Sequence, residues 1–251
     1  MDFIVVANVK LHPMFSLLKL MPAHGELPQI APGQFVQVAV PDSPSTFLRR
    51  PISVNYVEYD AQLLWLLVRN AGPGTEHLIN MSKGDSLNLL LPLGKPFSMP
   101  ARKDARILLV GGGVGVAPLL YFGECLANEG YAPEFLLGAR SSDLLLELDM
   151  FSSVGKVHVA TDDGSAGFHG LVTGHPVLDD GIENIYCCGP APMMKGVAAE
   201  ARRIGADCEV SLENMMACGL GACLCCVEKT VKGNVCVCTE GPVFNINELT
   251  W

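Results

Sequence analysis

Six of the ten cysteines lie between Cys218 and Cys238. Cys218, Cys223 and Cys226 stand at C-x4-C-x2-C spacing, and Cys238 follows after eleven residues. A tight three-thiolate loop closed by a distant fourth cysteine is the plant-type 2Fe-2S pattern. The alternative for four thiolates is zinc, which usually takes two C-x2-4-C knuckles separated by a longer span. Here the first three thiols are crowded, and Gly219 and Gly221 leave backbone N–H groups free to point at sulfur, which favours iron. Cys225 and Cys236 fall outside the four-ligand count and either pack or complicate the cluster by ligand exchange or oxidation.

The other four cysteines, Cys125, Cys187, Cys188 and Cys208, are scattered among apolar neighbours, where a free Cys packs as a small hydrophobe. With no basic leader ahead of an apolar stretch, ten cysteines argue against a disulfide scaffold and place the chain in the reducing cytoplasm. Its 251 residues, 49% of them apolar, are enough to bury a sizeable core. A net charge of −9 leaves no basic footprint for nucleic acid. The apolar runs are too short to span a bilayer, so no membrane association is expected.

From Phe3 to about Gly94 the chain reads as short strands: Phe3 to Leu11, Phe15 to Met21, Gln34 to Val40, Pro51 to Tyr59, Leu63 to Arg69 and Leu87 to Leu91. Strands at this pitch predict an antiparallel barrel or sandwich. Beyond Pro92, Pro96 and Pro100 the texture changes to alternating strands and helices, which predicts βα units on a parallel sheet. Its helices are expected at Ala117 to Asn128, Asp143 to Phe151 and Pro192 to Ile204. The expected fold class is multidomain α+β, with an N-terminal antiparallel barrel (1–100), a Rossmann-like α/β domain (101–208) and a small C-terminal cluster module (209–251).

Several motifs carry binding chemistry. In Arg50-Pro51-Ile52-Ser53 the guanidinium can pair with a phosphate and the hydroxyl can donate to a second acceptor, although an edge-strand start gives the same residues. Gly72-Pro73-Gly74-Thr75 reads as a turn or a close backbone approach to a ligand. Gly111-Gly112-Gly113-Val114-Gly115, between a buried strand and the helix opening at Ala117-Pro118, can present amides to a pyrophosphate at the helix start. The strand end Cys188-Gly189-Pro190 should face the same crevice. Asp162 either bonds a ribose or caps a turn. Arg140 sits where a 2′-phosphate is sometimes met, so NADH against NADPH stays open. His158 and His169 read as ordinary strand and loop residues.

In this order the motifs resemble the ferredoxin reductase superfamily, and within it the electron transfer subunits of dihydroorotate-oxidising complexes, over essentially the whole chain. The resemblance implies FAD on the barrel, held by Arg50, Pro51, Ile52, Ser53, Leu67, Val68, Arg69, Gly74 and Thr75. It implies NAD at Gly111, Gly112, Gly113, Gly115, Gly189 and Pro190, with Asp162 kept as a candidate from its strand-end position alone, and a 2Fe-2S cluster on Cys218, Cys223, Cys226 and Cys238, the last followed by Gly241-Pro242-Val243-Phe244. Cys188 and Glu213, the latter in Ser211-Leu212-Glu213, are the candidates for contacts at the reactive flavin edge. The implied partner is an FMN-containing catalytic subunit, in a heterotetramer of two plus two. Two departures stand out: Pro92-Leu93-Gly94-Lys95-Pro96-Phe97 replaces the usual Pro-Leu-Gly-Asn-Gly-Phe, and Cys225 replaces a glycine. Competing readings are an NADPH-dependent ferredoxin reductase or sulfide dehydrogenase small subunit and, in another class, a non-catalytic zinc-stabilised binding module.

Overall fold

The computed structural model describes residues 1–41, 43 and 46–251. The first half forms β1 (Asp2–His12), β2 (Phe15–Pro22), β3 (Phe35–Val38), β4 (Arg50–Ser53), β5 (Tyr56–Glu58), β6 (Leu63–Arg69), the short helix α1 (Pro73–Ile79) and β7 (Ser86–Leu93). All pairings among these strands are antiparallel, in the order β4-β3-β7-β1-β2-β6-β5.

The period of two along a strand explains how this sheet serves two cores. On β6, Leu64, Leu66 and Val68 face inward with Phe3, Val5, Leu18, Leu20, Val36 and Val38. Trp65 and Leu67 face the other way and pack with Ile107, Leu109, Leu119 and Tyr186 of the second half. The unbroken apolar run Leu63 to Val68 therefore marks a strand covered on both faces.

The second half forms β8 (Ile107–Gly112), α2 (Ala117–Asn128), β9 (Pro133–Ala139), α3 (Leu148–Val154), β10 (Lys156–Thr161), β11 (Phe168–His169), β12 (Asn184–Cys188), α4 (Ala191–Ile204) and β13 (Asp207–Ser211). Their strands lie parallel in the order β11-β10-β9-β8-β12-β13. Strand order reverses between β8 and β12, and at such a switch point ligands bind beyond the strands' carboxyl ends.

The remaining elements are β14 (Val227–Thr230), β15 (Gly233–Cys236), the single turn α5 (Val237–Glu240) and β16 (Val243–Asn245). β14 and β15 make a hairpin. β16 returns to the large sheet and pairs antiparallel with β13, Ser211 opposite Val243 and Glu209 opposite Asn245. β13 thus runs across the expected 208/209 boundary. Phe35 of the first sheet shares one buried cluster with Val210, Leu212, Cys226, Val237, Cys238 and Phe244.

Three local expectations need correction. Pro51 to Tyr59 is two strands, because the chain dips at Asn55, whose buried side chain donates to Ala117 O (3.3 Å) and Glu147 Oε2 (3.0 Å). Gly72 to Thr75 is the opening of α1, with Pro73 in the first helical turn, where its missing N–H costs nothing. The expected helix Asp143 to Phe151 begins only at Leu148, since Glu147 sits at φ +57° and ends the preceding 3-10 turn's path.

Candidate functional site

The nicotinamide crevice is built by backbone proximity. β8 and β12 are neighbours in register, Gly111 opposite Cys188. A Cβ on Gly115 would lie 2.5 Å from Gly189 Cα, and one on Gly112 would lie 2.5 Å from Met193 Sδ. Only glycines let these two turns close on each other. α2 continues directly from the 3-10 turn Gly113–Val116, with Ala117 N–H donating to Val114 O and Pro118 lacking an N–H, so the glycine turn itself, and not the first amides of α2, meets the crevice. Asp162 follows β10 in an exposed turn, and Arg140 is exposed at the end of β9. The His158 side chain is bonded to the Glu134 carboxylate of the neighbouring strand at 2.8 Å, away from the crevice motifs.

On the first sheet, Arg50 lies over α1: a Cβ on Gly74 would meet its Nε at 2.7 Å. That glycine keeps the helix start open beneath a guanidinium, a fit for a phosphate group. The Thr75 hydroxyl is engaged locally, donating to Gly72 O and accepting from Ala71 N. Of Leu67, Val68 and Arg69, the first faces the second half and the last is exposed. Val68 points into the barrel core, leaving only its backbone to a ligand.

Cys188 and Glu213 come from separate segments and meet here. Burial pushes the Cys188 thiol well up, the nearby Glu213 charge adds to this, and a bond with Ser211 opposes it. Glu213 keeps open surface, yet the chain around it raises its carboxyl, opposed by Arg69 of β6. Cys188 stands opposite Gly111 on one side and Ser211 on the other, and Ser211 is two residues before Glu213, so the β8–β12 crevice adjoins the strand that enters the cysteine loop.

The cysteine loop is wound tightly, with Gly219 (φ +72°), Gly221 (φ +76°) and Leu224 (φ +57°) all in the left-handed region. This winding turns amides toward sulfur: Leu220 N donates to Cys218 Sγ (3.3 Å), Gly221 N to Cys238 Sγ (3.2 Å) and Cys238 N to Cys226 Sγ (3.4 Å). Amides from Leu220 and Cys223, then the Cys223 thiol, draw Cys218 down to about 6. Cys238 is pushed up to about 12, first by burial and then by its bond with Cys226.

Amides aimed at sulfur from a tightly wound loop are the setting that iron–sulfur clusters use, and the four thiols Cys218, Cys223, Cys226 and Cys238 fit a two-iron unit. Cys225 Sγ turns to Met215 O (3.6 Å), and Cys236 Sγ lies 3.9 Å from Gly221 O.

Lys95, in the unusual Gly94-Lys95-Pro96 stretch, reaches the segment after Cys238. Its N–H donates to Gly241 O (2.6 Å) and its Nζ pairs with Glu240 (2.8 Å). Three polar residues at the junctions went unremarked in the sequence: Gln37, Asn55 and Glu147. Gln37 alone left a trace there, as a polar residue within the otherwise apolar strand Phe35 to Val38.

Fold and site together define a flavin- and nicotinamide-type reductase carrying an iron–sulfur module. Residues 213–250 match the family described as the iron–sulfur cluster binding domain of dihydroorotate dehydrogenase B. The chain is 39% identical over 227 residues to the dihydroorotate dehydrogenase B (NAD(+)) electron transfer subunit of Shouchella clausii, covering 87% of this chain and 86% of that one. It is 40% identical to the subunit of the same description from Lysinibacillus sphaericus, covering 88% of each. The chain belongs to the family of dihydroorotate dehydrogenase B electron transfer subunits. Among solved structures, the NADH-dependent reduced ferredoxin-NADP oxidoreductase superposes with a TM-score of 0.86 at 28% identity, covering 99% of this chain and 90% of that one. Phthalate dioxygenase reductase, at 21% identity and a TM-score of 0.63, covering 80% of this chain and 64% of that one, shares the fold. No helix among the described residues is long and apolar enough to cross a membrane.

Proposed function

We propose that this chain relays electrons between NAD and an FMN-bearing catalytic subunit that oxidises dihydroorotate, within a two-plus-two complex serving pyrimidine biosynthesis. When bound, FAD exchanges a hydride with the nicotinamide and single electrons with the 2Fe-2S cluster. Arg50, with Pro51, Ile52 and Ser53, and Gly74 with Thr75 would hold the flavin, the Arg50 guanidinium supplying the charge for a phosphate. Leu67, Val68 and Arg69 line the flavin's edge of the barrel. Gly111, Gly112, Gly113 and Gly115 with Gly189 and Pro190 seat the nucleotide, and Asp162 accepts from its ribose. Cys218, Cys223, Cys226 and Cys238 hold the cluster.

The observation that carries this reading is the register of β8, β12 and β13, with Gly111 opposite Cys188 and Cys188 opposite Ser211. It sets the nicotinamide crevice beside the strand that leads into the cysteine loop. Glu213, whose carboxyl is raised by desolvation and lowered by Arg69, is the group proposed to move a proton there, while the fully buried Cys188 packs. Membership of the family, with a cysteine set that fits a two-iron unit, supports the catalytic partner. The same relatives support NAD as the nucleotide.

The visible spectrum with iron and zinc analysis of the purified protein tests the cofactor set. Flavin and two irons per chain are expected; a colourless zinc protein overturns the reading. The likeness to the ferredoxin-NADP oxidoreductase and the exposed Arg140 favour one second reading, an NADPH-linked ferredoxin reductase. Flavin reduction by NADH and NADPH in parallel separates the two, and a strong NADPH preference selects the second.

A further inference from the structure

Gln37 lies on β3 in register with Pro51 of the flavin-signature strand. Along β3, Val36 and Val38 enter the barrel core while Phe35 and Gln37 project from it toward the cluster module. The Gln37 side chain is fully buried, 0% exposed, and neither its Nε2 nor its Oε1 has a hydrogen-bond partner among the described residues. Leaving buried amide atoms unpaired costs about 1–3 kcal/mol each, so such a group calls for a ligand.

The side chain is pressed against the cysteine loop. A Cβ on Gly219 would stand 2.7 Å from Gln37 Cγ and 3.0 Å from Nε2. Gly219 directly follows Cys218, and its left-handed backbone carries the loop past the amide. The facing residue across the ladder, Pro51, has no N–H to offer. Thiolate and sulfide accept hydrogen bonds and donate none, so the NH2 end of Gln37 is the end they can use.

We propose that Gln37 is a positioning residue that donates from the flavin-bearing strand to a sulfur of the cluster seated beside Gly219 and so raises the reduction potential of the cluster. The assignment rests on the cluster and flavin reading above. Hydrogen bonds to cluster sulfurs stabilise the more negative, reduced state and are among the known determinants of such potentials. Gln37 would then set how readily electrons pass between flavin and cluster, from a residue that ligates neither iron.

The test is an EPR-monitored redox titration of the full chain with its cofactors, with the flavin followed by its visible spectrum. Gln37→Met keeps length and removes the amide; Gln37→Glu replaces donors with a carboxylate. In Gln37→Met the oxidised-to-reduced cluster ratio at fixed potential should rise about tenfold, or about 59 mV for one electron, with the flavin midpoint unmoved. Gln37→Glu should shift it further in the same direction. A cluster midpoint unchanged in the variants, or a shift confined to the flavin, overturns the proposal. If Gln37→Met loses its cofactors, Gln37→Glu decides alone. A wild type that carries no cluster overturns the function reading and this inference with it, whereas a loaded protein whose potential does not move overturns this inference alone.

Discussion

Gly115 and Gly189 touch backbone to backbone, so closely that a side chain on the first would stand 2.5 Å from the Cα of the second. Gly115→Ala must therefore part the two turns of the nucleotide crevice. The KM for NADH should rise about tenfold or more, roughly 1.4 kcal/mol of lost binding. Flavin and cluster spectra should stay intact. Steady-state reduction of a flavin-linked dye measures this; an unchanged KM would place the nucleotide elsewhere.

The four-thiol assignment separates ligands from bystanders. Serine at Cys218, Cys223, Cys226 or Cys238 should abolish or strongly reduce the two-iron content, while Cys225→Ser and Cys236→Ser should retain it. Iron analysis and low-temperature EPR of the six variants read this directly. Cluster loss in Cys236→Ser with retention in Cys238→Ser would reassign the fourth ligand.

Glu147 is held between the two halves by Asn55, and burial pushes its carboxyl up to about 7, with Asn55 and Lys19 opposing. A raised carboxyl means that the folded state binds this proton more tightly than the unfolded state. Its contribution is present below about 4.5, the unfolded value, and is lost as pH rises through about 7. Glu147→Gln should therefore match wild-type stability near pH 4.5 and exceed it at pH 8, by up to about 3 kcal/mol. Thermal melts across this range should show the gap opening with pH, and a constant gap would refute the shift.

Around the cysteine loop, Met215 (83%), Leu224 (65%) and Leu220 (59%) expose apolar side chains. Exposed apolar groups beside the proposed cluster site are the surface expected to dock the catalytic subunit. Met215→Glu and Leu224→Asp should slow electron transfer to that subunit at least tenfold while NADH-to-flavin reduction is preserved. Stopped-flow measurement of both steps distinguishes this outcome from general damage, in which both would fall together.

The strands of the first sheet and the βα alternation were legible because period and turn residues are local signals. Leu63 to Arg69 and Ala117 to Asn128 have the expected ends. Pro73 and Gly74 carry turn chemistry equally at home in a first helical turn, which hid α1. Asn55 and Glu147 were invisible because each is explained by the other, 92 positions away. The spacing of the four candidate cysteines is legible in the sequence, whereas the backbone winding at Gly219, Gly221 and Leu224 that turns amides toward their sulfurs is not. Gln37 stood out only once its burial beside Gly219 was known.

The pairing of β13 with β16 has a topological consequence. Ser211 and Val243 are opposite residues on adjacent strands, so the chain leaves the sheet and re-enters it at the same rung. Everything between them, all four thiol positions included, is an excursion from one hairpin. Such an insertion can be gained or shed without rethreading the host sheet. A short turn joining Ser211 to Val243 would keep the strand order of both large sheets while removing the four thiol positions and Glu213 together, along with the Leu212, Cys226 and Val237 side chains that cover Phe35.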